Sequence, residues 1–163
     1  MMSNYYKKFY GKLKICILGA YYPKKSKGRL IQLRDCLQKN GFMDAHLVED
    51  FPLPSGTKPL IKSPAVGNII NSQFTMSHSD ALIFIFSLSD KSTGHKQEFQ
   101  YFQDELHKSL NDKTICFVEK GAMNKMGSLM TGYLEDSPWT YCFNNFEEVC
   151  EYARKQFVTM FLK

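Results

Sequence analysis

Three short runs, LKICILG (Leu13 to Gly19), ALIFIF (Ala81 to Phe86) and TICFVE (Thr114 to Glu119), are apolar at nearly every position. A strand with one face in water alternates polar and apolar residues, whereas a strand that is apolar throughout needs cover on both faces. The cover lies between the runs. Leu30, Leu33 and Leu37 recur at helical spacing after the first, with NGF from Asn40 as a stop signal. Val66, Ile69, Ile70 and Phe74 precede ALIFIF, and Phe146, Val149, Cys150, Ala153, Phe157, Met160 and Phe161 form a final helical stripe. AHLVED (Ala45 to Asp50) and WTYCF (Trp139 to Phe143) read as two further strands. Strands alternating with amphipathic helices predict an α/β fold: a flavodoxin-like or Rossmann-like three-layer sandwich around a five-stranded parallel sheet.

With 163 residues, 44% of them hydrophobic, and no composition shift, the chain is expected to form a single domain, 1–163, in which 1–11 reads as a flexible basic arm. No apolar run is long enough to cross a bilayer, and MMSNYYKKFYGKLK lacks the apolar centre of a signal peptide. The expectation is a soluble cytoplasmic protein without membrane contact. Five cysteines without a C-x-x-C pair, with Cys16 and Cys116 inside strand runs, suggest reduced, buried thiols rather than a disulfide frame or a zinc site. Neither a metal nor a cofactor is expected. A net charge of +5 is modest, and nucleic acid is not expected as a partner.

In a doubly wound sheet, ligands bind beyond the carboxyl ends of the strands where the strand order reverses, so the loops after strands one, three and four carry the functional expectation. The proline-rich stretch from Phe51 to Pro64 is a long loop expected to border the same place. After strand three the chain reads SDKSTGHKQEFQYF. With Ser92 or Thr93 as helix cap, His95, Phe99, Phe102, Leu106 and Leu110 form the stripe that faces the sheet, and Glu98 lies about 85° from its centre, at the margin of the buried face. Two readings stand. Glu98 either complements the positive end of the helix dipole or serves as a carboxylate at the ligand site. His95 is either a core-edge imidazole bonded to backbone or a partner to that carboxylate.

The turn ILGAYYP (Ile17 to Pro23) and the segment STGHKQEFQYF (Ser92 to Phe102) resemble two elements of the nucleoside 2-deoxyribosyltransferase family: a glycine-containing aromatic turn after the first strand, and a glycine leading into the helix that bears the nucleophilic glutamate. The segment order is similar over nearly the whole chain, the motifs over three short pieces. The resemblance implies Glu98 as nucleophile and Gly19, Tyr21, Tyr22, Ser92 and Gly94 around the ligand. It further implies a homo-oligomer, in which Asn124 and Met126 of EKGAMNKMGSLM reach a neighbouring subunit's site. The chain departs from the family at Ser92, where an aspartate usually grips the sugar and Asp90 is the nearest substitute. Gln100 and Phe102 replace small residues after the glutamate, and Asp80 is the nearest counterpart of a second acid before strand three.

Cleavage of an N-glycosidic bond passes through an oxocarbenium-like state that a carboxylate can stabilise or capture, while a proton helps the base depart. Glu98 supplies the carboxylate, Asp90 or His95 the second group, and Tyr21 and Tyr22 a stacking surface. The expected ligand is a nucleoside or nucleotide. A TIR-like NAD-cleaving domain is the alternative within this chemistry, and a catalytically silent nucleotide-sensing or interaction domain the alternative outside it. Lys24, Lys25, Lys27 and Arg29 in YYPKKSKGR are expected beside the pocket just ahead of the next helix, where they would favour a phosphate unless simply solvated.

Overall fold

In the computed structural model, which describes residues 4–50, 64–137 and 139–161, the apolar runs form strands β1 (Ile15–Gly19), β2 (Ala45–Leu47), β3 (Ala81–Phe86), β4 (Thr114–Glu119) and β5 (Thr140–Phe143). All pairs are parallel and the order is β2-β1-β3-β4-β5, so the expected flavodoxin-like sandwich is what forms. Ile15 pairs with Ala81 and Gly19 with Ile85, which sets β1 and β3 level at the centre of the sheet.

Strand pleating divides the apolar residues between two layers. Ile15, Ile17, Ile83, Ile85, Ile115 and Phe117 face one side. There they meet Tyr10 of α1 (Asn4–Lys12), Leu30, Leu33 and Leu37 of α2 (Lys24–Lys39), and Val149, Ala153 and Phe157 of α7 (Val149–Phe161). Cys16, Leu18, Leu82, Phe84, Phe86 and Val118 face the other. They are covered by Met76 of α3 (Pro64–Ser77), Phe99 of α4 (Gly94–Tyr101), Leu110 of α5 (His107–Leu110) and Leu134 of α6 (Ser128–Asp136). A π-helical turn, Phe102–Leu106, joins α4 to α5 and keeps Phe102 in the core; of the stripe expected through His95, Phe99, Phe102, Leu106 and Leu110, all are buried but Leu106, which is half-buried.

Four expectations need correction. The first residues are not a free arm: Asn4–Lys12 is a helix, held by Tyr10, which is 1% exposed and packs its ring 5.2 Å from that of Phe42. The second strand stops at Leu47, because the Asp50 carboxylate accepts the Leu47 N–H (2.9 Å) and pairs with Arg34 (3.0 Å), bending Val48–Asp50 into a 3-10 turn. The basic cluster is not a loop ahead of a helix. Pro23 takes the cap position, its carbonyl accepts from the Ser26 and Lys27 N–H groups, and Lys24 through Arg29 are the first turns of α2. Cys16 and Cys116 are buried free thiols as expected, but Cys36 of α2 and Cys150 of α7 form a disulfide, which the expectation of reduced cysteines excluded. The loop Phe51 to Pro64 lies outside the described residues save its last position, which opens α3. No helix among the described residues is long and apolar enough to cross a membrane.

Arg29 ties the layers together at the carboxyl end of the sheet. Its guanidinium makes a forked pair with Glu119 (2.7 and 3.2 Å) and sits 5.6 and 5.5 Å from the ring centroids of Phe143 and Phe146. Glu119 also accepts the Leu88 N–H at 2.8 Å. Arg29→Ala would strand a largely covered carboxylate, and we expect it to lower stability by about 2 kcal/mol. Chemical denaturation of wild type and variant measures this; an unchanged midpoint would show the fork to be dispensable.

Candidate active site

β1 leads through α2 to β2 on one side, and β3 leads through α4 to β4 on the other. The two chains therefore diverge at neighbouring strand ends, the geometry that opens a crevice in doubly wound sheets. A cavity of about 630 Å³ lies here, floored by Ile17, Leu18 and Gly19 and walled by α3 and α4. Its mouth is held by main chain: the Tyr22 carbonyl, after β1, accepts the Lys91 and Ser92 N–H groups, after β3, at 3.0 and 3.3 Å. Gly19 leaves the floor open, since a Cβ there would stand 3.2 Å from the Ile85 carbonyl oxygen and would make the Leu30 side chain shift. Gly94 has open space around the same position.

Glu98 lines this cavity from α4. Burial raises its pKa from 4.5 to about 7, and the neighbouring Ser72 hydroxyl of α3 pulls it back only in part. Near neutral pH the carboxyl thus exists in both forms. One form can stabilise or capture a cationic carbon, and the other can give a proton.

One turn earlier, His95 is 2% exposed, with its ring 5.3 Å from that of Phe86. Nε2 stands 3.2 Å from Asp90 Oδ2, yet neither ring nitrogen makes an aligned hydrogen bond. Asp90 is outside the cavity lining and is already engaged. Its Oδ2 accepts the Ser87 N–H at 2.8 Å. Burial pushes Asp90 up, but the nearby His95 ring and Ser26 hydroxyl, together with the bond from the Ser87 N–H, outweigh it and hold the carboxyl below its ordinary range. Asp90 is therefore an anion behind His95.

At the rim, the Tyr21 hydroxyl accepts the Glu49 N–H at 3.4 Å, Lys27 Nζ lies 5.0 Å from the Tyr21 ring centroid, and Lys27 pairs with Glu49 at 3.0 Å. Burial, the largest cause, pushes the Tyr21 hydroxyl well up, so it stays protonated. Tyr21 and Glu49 both line the cavity.

Of the residues expected from the sequence, Gly19, Tyr21, Ser92, Gly94, His95 and Glu98 come together on the cavity wall. Tyr22, Lys24 and Lys25 are exposed outside it, and Arg29 is committed to Glu119. Asn124 is exposed and Met126 half-buried around the 3-10 turn Ala122–Lys125, away from this lining. Asp80 accepts the Lys14 N–H at 2.9 Å at the opposite, amino end of β3. The structure adds Glu49, Asn71, Ser72, Gln97 and Tyr101 to the wall. Asn68, Asn71 and Ser72 had a legible signal: polar residues at i, i+3 and i+4 spacing, on one face of the helix. Among the described residues no cluster suits a metal ion, and none of those lining the cavity is a lysine or arginine.

No model of a known protein family matches the chain, and no curated protein does either.

Proposed function

We propose that the protein acts on the N-glycosidic bond of a nucleoside, by transfer or hydrolysis, with Glu98 as the carboxylate that meets the anomeric carbon. The observation that carries this is the half-buried Glu98 carboxyl, with its raised pKa, set in the cavity beyond the carboxyl ends of β1 and β3. An aromatic ring at the mouth and amides along the wall suit a base, and the carboxylate suits the cationic carbon left when the base departs. A homo-oligomer, in which Asn124 and Met126 serve a neighbouring copy, belongs to the same proposal.

Incubating the purified protein with a panel of nucleosides, nucleotides and NAD, and separating free base by chromatography, tests the reading. Base release that disappears in Glu98→Gln supports it. Full activity in that variant, or no release from any member of the panel, removes it.

One observation favours a silent nucleotide-binding domain instead. Asp90, the nearest substitute for the family's sugar-gripping aspartate, is held by Ser87 and His95 and does not line the cavity. Ligand-dependent rise of the melting temperature without turnover would select that reading.

A 5′-phosphate adds little in either case. Lys24 and Lys25 stand outside the cavity, and Lys27 and Arg29 are paired with Glu49 and Glu119. Calorimetry is expected to give affinities for a nucleoside and its 5′-monophosphate that agree within about threefold, unchanged in Lys24→Ala with Lys25→Ala. A preference for the monophosphate that disappears in the double variant would restore a phosphate role to this helix start.

A further inference from the structure

The two edges of the sheet are finished differently. On β2 the main-chain groups that turn away from β1 belong to Ala45 and Leu47, and the chain takes up most of them itself. The Ala45 N–H goes to the Phe42 carbonyl at 3.3 Å, the Ala45 carbonyl accepts from the Gln38 amide at 2.9 Å, and Asp50 takes the Leu47 N–H. That edge is closed. On β5, Thr140 is in register with Cys116 and Cys142 with Val118, while the Trp139 and Phe143 carbonyls accept from Cys116 and Lys120. Thr140 and Cys142 are therefore the residues whose N–H and C=O groups face away from β4, and among the described residues no other main-chain group meets them. Nor does WTYCF hold a charge or a proline, two devices that keep an exposed strand edge from pairing.

The surface beside this open edge is its own complement. The Tyr141 ring stacks on that of Tyr152 of α7 at 5.6 Å, and Tyr152 is 46% exposed. Glu148, which ends the 3-10 turn leading into α7, Tyr152 and Lys155 recur at i, i+4 and i+7, so an acid, an aromatic ring and a base stand in line on one exposed face. Lys155 is spare, reaching Glu151 only at 3.8 Å. Turned over by a two-fold axis, such a row sets each acid opposite the other copy's base.

We propose that two copies of the chain pair antiparallel along β5, so that one sheet runs through both. Centred on Tyr141, the pairing sets Thr140 of each copy against Cys142 of the other, with about four N–H···O bonds in all. It makes the two Tyr141 side chains a close cross-strand pair and lays α7 beside its copy, Glu148 facing Lys155. The exposed Cys142 thiol, a weak donor, then stands opposite the buried, unpartnered Thr140 hydroxyl. A foreign strand could use the same main-chain groups, but the reversed row of charges comes with a second copy. The inference draws neither on the reading of Glu98 nor on any contact at Asn124 and Met126.

Sedimentation velocity on the full chain, across a dilution series that starts at high micromolar concentration, is expected to show a species of twice 18.9 kDa that dissociates on dilution. Glu148→Lys or Lys155→Glu alone sets like charges face to face at both symmetric contacts. Either should weaken the dimer at least about tenfold, and the two together should restore it to within about threefold, which a misfolded variant would not do. A nitroxide on Cys142, the exposed free thiol, should show strong dipolar broadening in the dimer, because the two Cys142 residues become diagonal neighbours about 7–8 Å apart. A monomer at every concentration overturns the proposal. A dimer that ignores both charge substitutions, or that leaves the Cys142 labels apart, overturns it as well, since such a dimer forms through another surface.

Discussion

Glu98→Gln is expected to reduce base release by roughly 10²–10⁴-fold and, in the same protein, to raise thermal stability above neutral pH. The two effects have one cause. Folding carries the carboxyl from water into the cavity and raises its pKa from 4.5 to about 7, a change equivalent to roughly 3 kcal/mol. Between those two values the unfolded chain has released the proton and the folded protein has kept it. Stability therefore falls as pH rises through this window and levels off above it. Glutamine keeps the shape and carries no such cost. The variant should match the wild type below pH 4.5 and exceed it at pH 8, where a gain of about 3 kcal/mol would move the midpoint by roughly 5–10 °C. In the wild type, base release through the anionic carboxylate should rise as pH passes about 7. Scanning calorimetry at pH 4 and pH 8, beside the chromatographic assay, measures both effects. A variant no more stable at pH 8 than the wild type would mean that Glu98 is solvated, and would remove the physical basis for its chemistry.

The sheet and the glutamate were legible because each depends on local pattern. An apolar run such as ALIFIF can be satisfied only between two layers, and all six of its residues are buried. The position of Glu98 followed from the stripe of His95 and Phe99, both of which reach the core. What was hidden depends on partners far along the chain. Glu49 enters the site because Asp50 turns back to Leu47 and Arg34, and nothing in AHLVED distinguishes that from a longer strand. Tyr10 looked like part of a basic arm because its partner, Phe42, lies beyond a strand and a helix. The lysines after Pro23 look the same in a loop and in a first helical turn, yet the difference takes Arg29 away from any ligand and gives it to Glu119. Asp90 reads as a free acid in the sequence, whereas the fold spends it on a turn and on His95.

The cysteines posed the same difficulty in sharper form, since spacing carries no information on which thiols meet. Cys36 and Cys150 are separated by 114 positions and join α2 to α7 across the layer that also packs Leu33, Leu37 and Phe157. Those apolar contacts survive reduction, so the loss falls mainly on the unfolded side, where a long closed loop is set free. The chain-entropy argument gives a bound near 4.7 kcal/mol for a loop of about 100 residues, and measured losses are typically about 2–4 kcal/mol. For a domain of this size that corresponds to a midpoint lower by roughly 5–15 °C. Reductant should produce this shift in the wild type. Cys36→Ala with Cys150→Ala should start at the lower midpoint and respond to reductant no further, while Cys142→Ala, which removes an exposed free thiol, should behave as the wild type. Thiol titration of the denatured protein checks the bond itself: Cys16, Cys116 and Cys142 should react without reductant, and all five cysteines with it. Five reactive thiols in protein purified without reductant, together with one midpoint under both conditions, would return the chain to the reduced state its sequence suggested.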